Sequence, residues 1–95
     1  MYHLIVLQTA QDHALEAGIY YEEQQEGLGL RFLSELEIAY EKIIQHPQYY
    51  SFIDTQNIYR DIALTNFPFT VVYEVVNNDI LVIDVFNTNR ENTPR

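Results

Sequence analysis

The sequence predicts an α+β fold: a two-layer sandwich built from an N-terminal strand, an antiparallel helical hairpin and then a mainly antiparallel sheet. Three observations lead there. The apolar run Leu4-Ile5-Val6-Leu7 opens the chain, the glycine-bracketed turn Gly27-Leu28-Gly29 separates two stretches of helical periodicity, and strand-like segments fill the second half as far as Phe86-Asn87-Thr88-Asn89-Arg90. Ninety-five residues make one domain, 1–95. A chain of this size buries only roughly 60 to 65% of its unfolded surface, so its core is modest and a partner is expected to cover some of the rest.

Met1 to Gln8 reads as the first strand. Thr9, with Asp12 three residues on, offers a capping-box start to a helix near Ala10. The inward face of that helix carries Ala14, Ala17, Gly18 and Tyr21, small residues that let another backbone approach before an aromatic ring closes the contact. Gly18 costs about 1 kcal/mol against alanine in a helix interior, and close packing is the simplest compensation. A second helix, about Leu30 to Gln45, presents Phe32, Leu36, Ala39 and Ile43 as one stripe, widened by Leu33, Tyr40 and Ile44. His46-Pro47 stops it, because the residue before proline is pushed out of the α region.

Residues 48 to 57 have no clear period and read as a loop whose Tyr49, Tyr50 and Phe52 fold back onto the domain. Asn57 to Thr65 follows as a strand. A turn at Asn66-Phe67-Pro68 then leads into a hairpin of Phe69–Val76 and Ile80–Asn87. A two-residue turn at Asn77-Asn78 would set Glu74 and Asp84 on opposite faces, whereas a three-residue turn, Asn77-Asn78-Asp79, keeps them together. The second register is therefore expected. It puts Val72, Val76, Ile80, Val82 and Phe86 on the face turned away from the helices, an apolar surface fit for a partner.

Five basic against fourteen acidic residues give a formal charge of -9, a field that repels phosphate backbones, so autonomous nucleic-acid binding is not expected. Without cysteine the chain has neither disulfides nor thiolate zinc sites, and His3, His13 and His46 lack metal-ligand spacing. No metal or cofactor is expected. No stretch approaches the roughly 18 apolar residues of a membrane span, and no signal peptide opens the chain, so a cytoplasmic location is expected.

Taken in order, Tyr20-Tyr21-Glu22-Glu23-Gln24, Gly27-Leu28-Gly29-x-Arg31-Phe32-Leu33, Glu37, Ile43-x-x-His46-Pro47, Arg60, Phe67-Pro68-Phe69, Val72-Tyr73-x-Val75 and Val85-Phe86-Asn87-Thr88-Asn89-Arg90 resemble the RelE/ParE superfamily of bacterial type II toxins, often labelled plasmid stabilisation proteins. The resemblance spans nearly the whole chain. It implies the same strand, helical hairpin and antiparallel sheet, and a toxin neutralised by a cognate antitoxin. It also implies one of two targets: DNA gyrase, bound without nuclease chemistry, or mRNA cleaved in the ribosomal A site. Arg60 and Arg90 match family arginines. Asn87 stands where many relatives have histidine, and Asn89 where a basic residue is frequent.

Those asparagines cannot exchange a proton at neutral pH, so no acid/base pair for RNA cleavage is visible. The acidic charge points the same way. The leading expectation is a toxin that binds a protein such as gyrase; the alternatives are a ribosome-dependent mRNA endonuclease using Arg60 and Arg90, and a degenerate, non-toxic binding module or homodimer. Against these roles stand ordinary structural ones: Arg60 as an ion-pair arginine, Arg90 as a solvated tail charge, Tyr73 as a core phenol.

Overall fold

The computed structural model describes residues 1–89. Along the chain run β1 (His3–Val6), α1 (Gln8–Gln24), α2 (Leu28–Gln45), β2 (Tyr59–Ala63), β3 (Phe69–Val76) and β4 (Asp79–Asn87). The strands make one sheet in the order β1-β4-β3-β2. β1 runs parallel to β4, and β3 is antiparallel to both β2 and β4. The α+β architecture is the one expected.

α1 starts at Gln8, earlier than Ala10, and Thr9 does not cap it; the N-cap is Leu7, which makes no side-chain cap bond. The reason lies in the sheet. Leu7 N–H donates to Val82 O, so pairing with β4 persists until the helix begins and Thr9 falls inside the first turn. Two glutamine side chains at this end donate to acceptors and cap no helix amide. Gln11 Nε2 donates to Val6 O at 2.8 Å, and Gln8 Nε2 to Asp12 Oδ1 at 2.8 Å.

The hairpin turn rests on two glycines and one glutamate. Gly27 takes φ +86°, the left-handed conformation that lets the chain reverse. Glu22, near the end of α1, accepts the N–H groups of Gly27 and Gly29 at 3.0 and 3.1 Å, placing a carboxylate on the unpaired amides that open α2. The helices meet most closely here. A Cβ on Gly29 would stand 2.4 Å from Gly18 O, so Gly29→Ala is expected to cost about 1–3 kcal/mol as the helices are forced apart. Urea denaturation measures this, and a loss below about 0.5 kcal/mol, the usual effect of a neutral surface change, would show that the crossing has slack.

The core is the stripe read from α2, Phe32, Leu36, Ala39 and Ile43, against Ala10, Ala14 and Ala17 of α1, Val71 and Tyr73 of β3, and Ile80, Val82 and Val85 of β4. Phe32 sits at its aromatic centre, with ring centroids 5.5 Å from Tyr21, 5.2 Å from Phe67 and 5.0 Å from Phe69. Leu33, expected to widen the stripe, is 41% exposed and sets its side chain beside Gly18 of α1.

The hairpin register corrects the expectation. Val76 pairs with Asp79, leaving the two-residue turn Asn77-Asn78, with Asn77 at φ 56°. A β-bulge then restores the parity that such a turn upsets. Tyr73 faces Val82 and Val72 faces Asp84, so Ile83 is the extra residue on β4. Glu74 and Asp84 thus share a face after all, while Ile80 and Val82 turn to the helix side and are 0% exposed. Neither can belong to the uncovered face.

Glu35 of α2 fastens the loop between β2 and β3. Its Oε1 accepts the N–H groups of Thr65 and Asn66, both at 2.8 Å, and its Oε2 accepts Asn66 Nδ2 at 2.9 Å. Burial pushes its pKa up, but the hydrogen bonds from Asn66 and Thr65 and the charge of Arg31 outweigh this and hold it below the usual 4.5. A carboxylate depressed in the folded state stabilises above its unfolded pKa, and the contribution disappears as pH falls through the folded value. The melting temperature is therefore expected to fall more steeply below pH 4.5 for the parent than for Glu35→Gln. Parallel curves would show that these bonds contribute nothing to the acid limb.

Candidate functional site

Arg60 in β2 faces the helix side, opposite Tyr73. Its guanidinium is committed to the chain's own backbone. Nη1 donates to Gln48 O at 3.1 Å and Tyr50 O at 2.6 Å, and the group lies 3.8 Å from the centroid of the Phe52 ring. Phe52 also bridges to Arg60 in antiparallel fashion, outside the named strands. Arg60 is thus a clasp for the segment after α2, and the nearby carboxylates Asp54 and Asp61 are used elsewhere. Asp54 accepts the N–H groups of Ile58 and Tyr59 and closes the following turn; the Tyr59 bond, with Ile58's, holds its pKa down. Asp61 accepts from Thr70 Oγ1 at 2.9 Å.

The same segment takes a bond from Tyr73, whose hydroxyl donates to Pro47 O at 2.6 Å. Tyr73 is fully buried, and burial pushes its pKa up to about 12. It is a core donor with no access to a substrate. Of the loop aromatics expected to fold back, Tyr50 packs on the core and Phe52 lies under Arg60, whereas Tyr49 projects into solvent.

Asn87 lies apart from Arg60, because β3 stands between their strands. Its Oδ1 accepts Asn89 N–H at 2.9 Å. Arg90 lies outside the described residues. No constellation joining Arg60 and Asn87 exists among the described residues, nor do three His, Asp or Glu side chains gather as a metal site there.

Two other surfaces carry chemistry. On the face of the sheet turned from the helices, strand alternation and the bulge place Val72, Val76, Leu81, Ile83 and Phe86, joined by Ile5 of β1. Val76 is 40% and Ile5 42% exposed, and Val72, Leu81, Ile83 and Phe86 are partly buried, whereas Val71, Tyr73, Ile80 and Val82 on the helix side are 0% exposed. The apolar reverse expected from the sequence is therefore present, with Leu81 and Ile83 replacing Ile80 and Val82. The rule of alternation missed this because an inserted bulge residue leaves no composition signal.

The second surface is a groove of about 510 Å3 between α1 and the second half of β4. β1 pairs with residues 79–82, and among the described residues no strand pairs with the rest of β4 on that side. His13, Glu16, Ala17 and Tyr20 form one wall and Asp84, Phe86 and Asn87 the other. His13 Nδ1 lies 2.6 Å from Asp84 Oδ1, both partly exposed. A histidine held by a carboxylate is an arrangement known for general bases, but no Lys or Arg among the described residues lines the groove, where a phosphate substrate would meet Glu16 and Asp84. The sequence reading overlooked the pair, whose members stand 71 residues apart.

No family model matches the sequence, and no curated protein matches it. A solved structure does: a chain of the chromosomal ParDE TA system from P. aeruginosa superposes with a TM-score of 0.73 at 16% identity, over 92% of this chain and 96% of that one. The two chains share a fold. That is the strand, hairpin and sheet arrangement the sequence resemblance implied, now matched over nearly the full length of both. No helix among the described residues is long and apolar enough to cross a membrane.

Proposed function

We propose that this chain is the toxin component of a type II toxin-antitoxin module, acting by binding a protein target such as DNA gyrase and neutralised by a cognate antitoxin. One observation carries the reading: a fold shared with a chain of a toxin-antitoxin system carries, on the sheet face turned from its helices, an apolar patch of Val72, Val76, Leu81, Ile83 and Phe86, interrupted by acids and left partly exposed by the described residues. A largely disordered antitoxin folding onto that face removes this surface from water. The acidic charge and the occupied guanidinium of Arg60 favour a protein target over mRNA.

Induction of the chain alone in bacteria is expected to arrest growth, with relief on co-expression of the adjacent open reading frame. Absence of arrest would overturn the toxin reading and favour a non-toxic binding module. Plasmid supercoiling defects with intact transcripts support gyrase, whereas codon-phased transcript ends would establish the endonuclease instead.

A further inference from the structure

We propose that the groove between α1 and β4 receives an arginine or lysine side chain from the antitoxin, so that one partner segment covers the sheet's reverse, rounds the free edge of β4 and anchors there. This rests on the toxin reading. Charge selects the occupant. Among the described residues the groove is lined by Glu16 and Asp84 and by no Lys or Arg, in a chain of net charge -9, and long basic side chains lay their methylenes along apolar walls while the charged head meets a carboxylate. Ala17, Tyr20 and Phe86 supply such walls, and Tyr20 is 56% exposed.

Continuity supplies the route. Phe86 pairs with Thr70, on the same side of β3 as Val72, and it also lines the groove, so the apolar face and the acidic groove meet at one residue. His13 fixes Asp84 at this edge through the 2.6 Å contact. A second copy of the chain is a poor occupant, because its own acidic surface would face the acidic groove.

The test uses an acetylated, amidated pentapeptide, Ile-Arg-Val-Arg-Ile, and its twin with neutral citrulline at both arginine positions, titrated into the full chain by NMR. The arginine peptide is expected to shift amides of residues 13–21 and 84–87 and to bind about tenfold more tightly than the citrulline twin, the usual scale for one charge-assisted hydrogen bond. Glu16→Gln and Asp84→Asn should each remove most of that difference. Glu16 is exposed and its side chain makes no hydrogen bond among the described residues, so Glu16→Gln keeps the test valid if Asp84→Asn, which weakens the His13 contact, fails to fold. Equal binding of both peptides, shifts elsewhere on the surface, or retention of the preference in Glu16→Gln would overturn the proposal. A growth arrest that persists while the peptide preference is absent would refute the groove and leave the toxin reading standing.

Discussion

Phe32→Ala is expected to lower the unfolding free energy by about 3–5 kcal/mol, the range for truncating a buried phenylalanine. The ring is 0% exposed and touches Tyr21, Phe67 and Phe69, which come from α1, the turn before β3 and β3 itself. Its removal leaves a cavity that three separate elements must collapse to fill. A small domain holds only about 5–15 kcal/mol in total, so the variant should be largely unfolded at growth temperature. Urea denaturation of the purified chain gives the number. A loss below about 1 kcal/mol would mean that the three rings close over the gap, contrary to the rigid packing of protein cores. Loss of toxicity in this variant would report folding alone, which is why the surface substitutions above carry the functional tests.

Arg60→Ala is expected to cost about 2–4 kcal/mol, from two charge-assisted bonds to Gln48 O and Tyr50 O together with the contact on Phe52, discounted for partial exposure. The loss should be local. Amide exchange is expected to rise across residues 48–58 and to change little in α1. Arg60→Lys keeps the charge but not the planar fork, so it should recover only part of the stability. This substitution also separates the two roles weighed for Arg60. If toxicity follows stability across Ala and Lys, the arginine is a clasp; a variant as stable as the parent that nonetheless fails to arrest growth would give it a direct role at the target.

Much of this was legible in the chain, and the legible part is local. Gly27 and Gly29 marked the hairpin because glycine takes the left-handed conformation without strain and leaves room where a Cβ would stand 2.4 Å from Gly18 O. Period 3.6 named Phe32, Leu36, Ala39 and Ile43 as the buried stripe of α2, and all four are in the core. The order of elements likewise followed from local pattern, together with the resemblance carried by short motifs along the chain. What the sequence by itself determined, then, is the set of helices and strands, their sequence of appearance and the acidic charge that turns the functional reading towards a protein partner.

Tertiary structure decided three things that local pattern does not encode. The two-residue turn at Asn77-Asn78 sent Ile80 and Val82 into the core and Leu81 and Ile83 to the reverse, and the bulge at Ile83 then exchanged the faces of the strand beyond it. The fold gave Arg60 to backbone carbonyls of a segment that had no period of its own. It also brought His13 and Asp84 within 2.6 Å across 71 positions, at an edge that exists only because β1 is too short to pair with all of β4. Composition fixes which residues prefer water and which do not, but contacts between distant residues depend on strand register and strand length, and these are settled only when the whole sheet assembles.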